Sequence, residues 1–203
     1  MPGGGVWMVF SLAMKSPHLI LASTSPRRRE LLAAAGFAFD VVASDADEDA
    51  PGGLTPAEVA IRNARAKATA LQANPGTLII GADTVVALGG QIFGKPASPD
   101  DAIRTLETLS GRTHEVVTGV AIAGETDVTT FHETTRVTFR ELERGEIETY
   151  VATGEPMDKA GAYAIQGEGK RLVEGIEGDY DNVVGLPVSR LTKMLGELGV
   201  KRG

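Results

Sequence analysis

The sequence predicts an α/β fold in one domain, and three observations carry that reading. Short aliphatic and β-branched runs alternate along the chain with longer helix-periodic segments. Ser-Pro or Thr-Pro pairs stand at three of the helix starts, at Ser25, Thr55 and Ser98. At 203 residues, 42% of them hydrophobic and 23% charged, the chain can bury one good core or two lobes.

Taken in order, residues 18–22 read as a short strand. Ser25 then caps a helix to about residue 35, with Pro26 at the first helical position and Gly36 just past the end. Arg27, Arg28 and Arg29 fill its first turn, at the positive end of the helix dipole, where each cation costs about 0.3–1 kcal/mol. A bound anion reverses that sign. A strand, a Ser-rich turn beginning at Ser23 and an Arg-loaded helix start therefore suit a phosphate cradle better than a solvated basic turn. Residues 39–43 read as a second strand, followed by the acidic run Asp45-Ala46-Asp47-Glu48-Asp49. Most of that run reads as solvated loop, with one or two carboxylates as candidates for the divalent ion that accompanies phosphate substrates. Thr55-Pro56-Ala57-Glu58 is a capping box opening an alanine-rich helix to about residue 72. Asn63 and Lys67 share one face of it, and Lys67 becomes a ligand only where that face turns toward the next strand.

That strand, residues 78–88, is an apolar run interrupted by one carboxylate, Asp83, and it reads as mostly buried with a break at Gly81 and Ala82. Burying an unpaired carboxylate costs roughly several kcal/mol, so Asp83 either holds a hydrogen-bond network together or does chemistry. The basic residues around it favour chemistry. Gly89-Gly90 reads as a hairpin turn that returns through residues 91–93 and brings Lys95 back toward Asp83. Ser98 caps a helix whose core face is Ile103, Leu106 and Leu109. An apolar strand over 116–123 follows, entered by His114, which reads as a hydrogen-bonded structural residue rather than an acid or base. Residues 128–139 read as a strand and 143–152 as a helix. From Lys159 to Gly167, small residues cluster around Tyr163 and Gln166, which suits a backbone passing close to something flat. The Gln166 amide, with donors and an acceptor, suits reading the edge of a base. A terminal helix presents Leu191, Met194 or Leu195, and Leu198.

Composition excludes several classes. A net charge of −7 argues against a nucleic-acid coat, so any anion site is local. With no cysteine and three histidines, a disulfide framework, a thiol nucleophile and a His-rich zinc site drop out. A hard, oxygen-ligated cation stays open. The apolar run over residues 6–14 is too short to span a membrane, and residues 1–15 read as a disordered tail or an upstream-assigned start, with residues 16–203 as the single domain. The expected location is cytoplasmic.

Read together, Ser23-Thr24-Ser25-Pro26-Arg27-Arg28, Gly81-Ala82-Asp83-Thr84-Val85-Val86, Gly94-Lys95-Pro96, Ser110-Gly111-Arg112-Thr113-His114, Asp158-Lys159-Ala160-Gly161-Ala162-Tyr163 and Val184-Gly185-Leu186-Pro187 resemble the Maf family of nucleoside triphosphate pyrophosphatases. The resemblance runs from about His18 to Leu198. It implies an elongated, two-lobed mixed α/β fold with a long twisted sheet, similar to inosine triphosphate pyrophosphatase, with the nucleotide in a cleft between the lobes. It implies a cytoplasmic, usually dimeric enzyme that uses a divalent cation, Mg or Mn, to hydrolyse a nucleoside triphosphate to the monophosphate and pyrophosphate. By position Asp83 matches the proton acceptor, and Ser23, Arg28, Lys67 and Lys95 match residues of binding or turnover. Arg27, Thr84 and Gln166 match positions tied to substrate choice, and the Thr84 and Gln166 pair is that of the dTTP/UTP branch rather than the 7-methyl-GTP branch. Asp47 and Asp83 are the candidate metal ligands. The chain departs from the pattern in its N-terminal extension and in Asp47-Glu48, where relatives often carry two Glu. A non-catalytic nucleotide-binding regulator of cell division is the competing reading, disfavoured because pure binding has no need of a carboxylate at Asp83; no nucleic-acid partner is expected.

Overall fold

The apolar run around Asp83 folds as one uninterrupted strand, β3 (Thr77–Leu88), and the break expected at Gly81 and Ala82 does not occur. The glycine serves a different purpose. A Cβ on Gly81 would lie 2.3 Å from the Ala64 carbonyl oxygen, so the missing side chain lets a helix lie directly on the strand. The structure is a computed structural model in which residues 16–203 are described; the reading of residues 1–15 lies outside them.

The other strands are β1 (His18–Ala22), β2 (Asp40–Val42), β4 (Gln91–Phe93), β5 (Thr113–Ala123), β6 (Val128–Phe139) and β7 (Val173–Glu177). The helices are α1 (Pro26–Ala34), α2 (Pro56–Thr69), α3 (Pro99–Leu109), α4 (Arg144–Ala152), α5 (Tyr180–Val184) and α6 (Val188–Glu197). The strands form a mixed sheet in the order β2-β1-β3-β5-β6-β7, with β4 also on β3. β1 is parallel to β2 and β3, and the remaining pairs are antiparallel. Three strands of 11 or 12 residues, β3, β5 and β6, run the length of the sheet, roughly 35–40 Å at 3.3 Å per residue.

Pairing along β3 positions the site. β5 occupies one edge of β3 from Ile79 to Ala87. On the other edge β1 pairs only as far as Ile80, and β4 takes over only at Val86. Residues 81–85 are thus open on that edge, with Asp83 at the centre of the gap. The loop leaving β1 and the loop leaving β4 carry Ser23 and Lys95 to its two sides. Separate apolar cores consolidate the two ends of the sheet. Val86, Phe93, Leu106, Leu109, Phe139 and Ile147 pack at the β4 end, while Leu19, Leu21, Leu32, Ile80, Leu191 and Leu195 pack at the β1 end.

Capping follows the sequence closely. Ser25, Thr55 and Ser98 accept from Arg28 N, Glu58 N and Asp101 N, and Glu58 returns the Thr55 bond to complete the capping box. Two readings need correction. β7 was not foreseen, because Val173-Glu174-Gly175-Ile176-Glu177 is too polar to stand out and forms by pairing with β6 across a register shift at Thr138/Phe139. Leu198 is 40% exposed because α6 ends at Glu197, and the buried face of that helix is Leu191 and Leu195. No helix among the described residues is long and apolar enough to cross a membrane.

A Cβ on Gly119, the β5 partner of Asp83, would fall 2.3 Å from the Ala60 carbonyl carbon of α2. Gly119→Ala is therefore expected to lose about 3 kcal/mol of stability in urea denaturation, against under 1 kcal/mol at an open position such as Gly52.

Candidate active site

Successive strand residues face opposite sides of the sheet, so Asp83 and Thr84 point to opposite faces while bordering the same open edge. On the face of Asp83 lies α2, seated by Gly81 and Gly119. The α2 residues Asn63 and Lys67, one turn apart, both reach the carboxylate. Lys67 Nζ donates to Asp83 Oδ1 at 2.7 Å and Asn63 Nδ2 donates to Oδ2 at 3.0 Å. The remaining two Lys67 protons go to Glu48 Oε1 at 2.7 Å and to the Ala82 carbonyl at 3.3 Å. Both members of the Lys67–Asp83 pair are more than nine-tenths buried. Such a pair offsets the cost of desolvation only when its hydrogen bonds are well made, and here all three ammonium donors are used. Each Asp83 oxygen carries one of these bonds and keeps acceptor capacity.

Glu48 bridges two cations, because its other oxygen accepts from Lys95 Nζ at 2.9 Å. Burial works to raise the Glu48 pKa, but the hydrogen bonds and charges of Lys67 and Lys95 outweigh it and hold the value down to about 2. The acidic loop is fixed to α2 by Asp49, whose amide donates to Asn63 Oδ1 at 3.3 Å and whose two carboxylate oxygens accept from Arg62 Nε and Nη2.

On the opposite face Thr84 meets the N-terminal turn of α1. Arg28 Nη2 donates to Thr84 Oγ1 at 3.1 Å and Arg28 Nε donates to the Gly185 carbonyl at 2.9 Å. The Thr118 hydroxyl donates to the Asn182 carbonyl at 3.0 Å, so in its 2.9 Å contact with Thr84 the proton comes from Thr84. Thr84 is left with an acceptor to offer a ligand and no donor. Burial lowers the Arg28 pKa, against the opposing pull of Asp83 and Glu48. The Ser23 Oγ accepts from Ser25 N at 3.2 Å, which leaves its proton available. Arg27 borders the same space with a buried Nε that has no partner among the described residues.

These groups line one cleft of about 940 Å³, together with Asp47, Tyr163 and Gln166. Every sequence-derived candidate thus borders a single space. The residue of the acidic run that joins the Lys67–Asp83 pair is Glu48, whereas Asp47 is exposed at the rim. Sequence reading missed Glu48 as a site residue, and it noted Asn63 only as sharing a face with Lys67. That shared face was the available signal for Asn63; nothing in the sequence distinguished Glu48 from its acidic neighbours.

Behind the cleft, His114 Nε2 and the Tyr163 hydroxyl are 2.9 Å apart, and both rings pack edge-on against Phe139. This is the structural role expected for His114. It is 1% exposed, and burial pushes its pKa down from 6.5 to about 4.

Residues 18–198 match the family model described as Maf-like protein. A protein of Bacillus pumilus named dTTP/UTP pyrophosphatase is 48% identical over 184 residues, covering 90% of this chain and 97% of the relative. One of the same name from Pelotomaculum thermopropionicum is 50% identical over 185 residues, with the same two coverages. The structure of the Ham1 protein from Staphylococcus aureus superposes with a TM-score of 0.50 at 17% identity, covering 89% of this chain and 99% of that one, which is a likeness of fold.

Because the unfolded chain holds a His114 proton more tightly than the folded one, the stability from keeping His114 neutral is complete above pH 6.5 and is lost as pH falls toward 4. The loss is expected to reach about 3 kcal/mol. His114→Gln should flatten that part of a urea-stability profile against pH.

Proposed function

The chain belongs to the Maf-like family, and from that premise we propose that it is a dTTP/UTP pyrophosphatase whose reacting carboxylate is Asp83. The observation that carries the site assignment is the buried Lys67 ammonium held 2.7 Å from both Asp83 and Glu48 at the one open stretch of β3. Water adds to the α-phosphorus as the bond from that phosphorus to the bridging oxygen breaks, giving monophosphate and pyrophosphate. Little covalent work falls to the protein in such a displacement, so positioning and charge neutralisation supply most of the acceleration. Asp83, with acceptor capacity left on both oxygens, takes the proton of the attacking water. Lys67 and Asn63 fix the rotamer of that carboxylate, and Lys67 balances its charge. Ser23, Arg27, Arg28 and Lys95 lie where they can hold phosphate oxygens, and Arg28 is itself aimed by its bonds to Thr84 and Gly185.

The family's divalent cation suits this donor set. Asp83 and Glu48 are carboxylates bordering the same cleft, each with one oxygen on the Lys67 ammonium, and carboxylate oxygens are the donors a hard ion such as Mg or Mn selects. No three carboxylate or imidazole groups among the described residues are placed together to hold a metal ion, so the phosphates of the substrate would supply the remaining oxygen ligands. Bound there, the ion would withdraw charge from the phosphate oxygens. Base choice rests with Gln166, which is exposed on the cleft wall. Its amide can accept from the N3–H and donate to the O4 of uracil or thymine.

The test is product analysis with Mg or Mn over dTTP, UTP, CTP, GTP, 7-methyl-GTP and inosine triphosphate. Monophosphate and pyrophosphate are expected from dTTP and UTP first. Asp83→Asn should lower turnover by roughly a thousandfold or more while nucleotide still binds. Gln166→Glu should lower kcat/KM for UTP and dTTP by about tenfold to a hundredfold, and less for the other bases. Orthophosphate as the product, or binding without hydrolysis, would refute the assignment.

A further inference from the structure

The segment bearing Gln166 is pinned on both sides by one pair of side chains that the proposed chemistry leaves unused. The Tyr150 hydroxyl, on α4, accepts from Ala164 N at 3.2 Å and donates to Glu155 Oε1 at 2.9 Å. The same carboxylate accepts from Gly169 N at 3.0 Å and from Glu168 N at 3.1 Å. Gln166 therefore stands between an anchor two residues before it and anchors two and three residues after it. The glycines show how closely the segment is seated on this pair. A Cβ on Gly167 would lie 2.5 Å from Glu155 Oε2, and one on Gly169 would lie 2.7 Å from the Tyr150 oxygen and 2.3 Å from the Ala164 carbonyl. Burial raises the Tyr150 pKa and keeps the hydroxyl protonated. For Glu155 burial also acts upward but is outweighed by the bonds from Gly169, Glu168 and Tyr150, and the pKa is lowered.

Fixing the position of an amide matters here for a chemical reason. The O6 and N1–H of guanine present the same acceptor and donor as the O4 and N3–H of uracil, so hydrogen bonding alone does not let Gln166 tell them apart. The guanine edge stands farther from the ribose, by the extra ring. Discrimination then depends on where the amide is held, and a mobile amide would serve either base. We propose that Tyr150 and Glu155 are positioning residues for base selection, holding the Gln166 segment at the distance that suits a pyrimidine. The proposal rests on the reading of Gln166 as the base-edge contact.

The test is a double-mutant cycle on the full-length protein, read as the ratio of kcat/KM for UTP to that for GTP. Glu155→Gln keeps the shape but turns one acceptor into a donor facing donors. It should lower the ratio roughly tenfold with kcat for UTP within about twofold of the parent. Gln166→Ala should lower the ratio as well, and the double variant should match Gln166→Ala alone. An equal loss for both nucleotides in Glu155→Gln, or an effect of that substitution that persists in the Gln166→Ala background, would show a merely structural role and overturn the proposal. A ratio unmoved by Gln166→Ala alone would instead remove the base-edge contact on which the proposal stands. If Glu155→Gln does not fold, Tyr150→Phe carries the same test, and a parental ratio in that variant would be decisive against the proposal.

Discussion

The buried pair of Lys67 and Asp83 is the constraint that the rest of the molecule satisfies. Removing one partner from such a pair typically costs about 3–5 kcal/mol, because the other is left as an uncompensated charge. The pair can exist only if α2 approaches β3 and β5 closely enough for a lysine stem to reach across. Gly81 and Gly119 make that approach possible by removing the two Cβ atoms that would strike Ala64 and Ala60. The charged pair also needs an opening to water and substrate, and this comes from topology. Along β3, pairing with β1 stops at Ile80 and pairing with β4 starts at Val86, so the sheet supplies a rigid backbone and an unpaired edge at the same residues.

A second polar system lies on the opposite face and ties Arg28, which borders the cleft, to the segment 179–185. From Arg28 it passes through Thr84 and Thr118 to Asn182, whose amide donates to the Val116 carbonyl and to Thr135 Oγ1 at 3.0 Å each, and Thr135 in turn donates to the Asp179 carbonyl at 2.8 Å. Thr118, Thr135 and Asn182 are fully buried, so breaking these bonds is costly, and Asn182 Oδ1 is the acceptor of the network with no partner among the described residues. The two faces thus have separate tasks: α2 and the acidic loop fix the Asp83 carboxylate, and α1 with the 179–185 segment fixes the Arg28 guanidinium. They meet at β3, where Asp83 and Thr84 are adjacent and border one cleft.

Much of this was legible in the sequence because it is local. Caps at Ser25, Thr55 and Ser98, the Gly89-Gly90 hairpin and the apolar run around Asp83 each follow from a few neighbouring residues. The shared helical face of Asn63 and Lys67 was legible too, but only as a conditional statement, since its direction depends on how α2 lies on the sheet. Gly81 was misread for a related reason: a glycine inside a strand pattern marks either an interruption or a close approach by another backbone, and sequence alone does not separate the two. Glu48 was hidden among equivalent acids, and its selection by Lys67 and Lys95 is a consequence of loop placement. Thr118 and Asn182 carried no signal at all, because their importance lies in what they meet across the sheet.

An anhydride can be opened to pyrophosphate and monophosphate by attack at either the α- or the β-phosphorus, and only the first places the reacting water at the α-phosphoryl group as assigned here. Hydrolysis of UTP in heavy-oxygen-labelled water, followed by mass spectrometry of both products, distinguishes them directly. Label in the monophosphate, with none in the pyrophosphate beyond background, is the expected result. Label in the pyrophosphate would contradict the role assigned to Asp83.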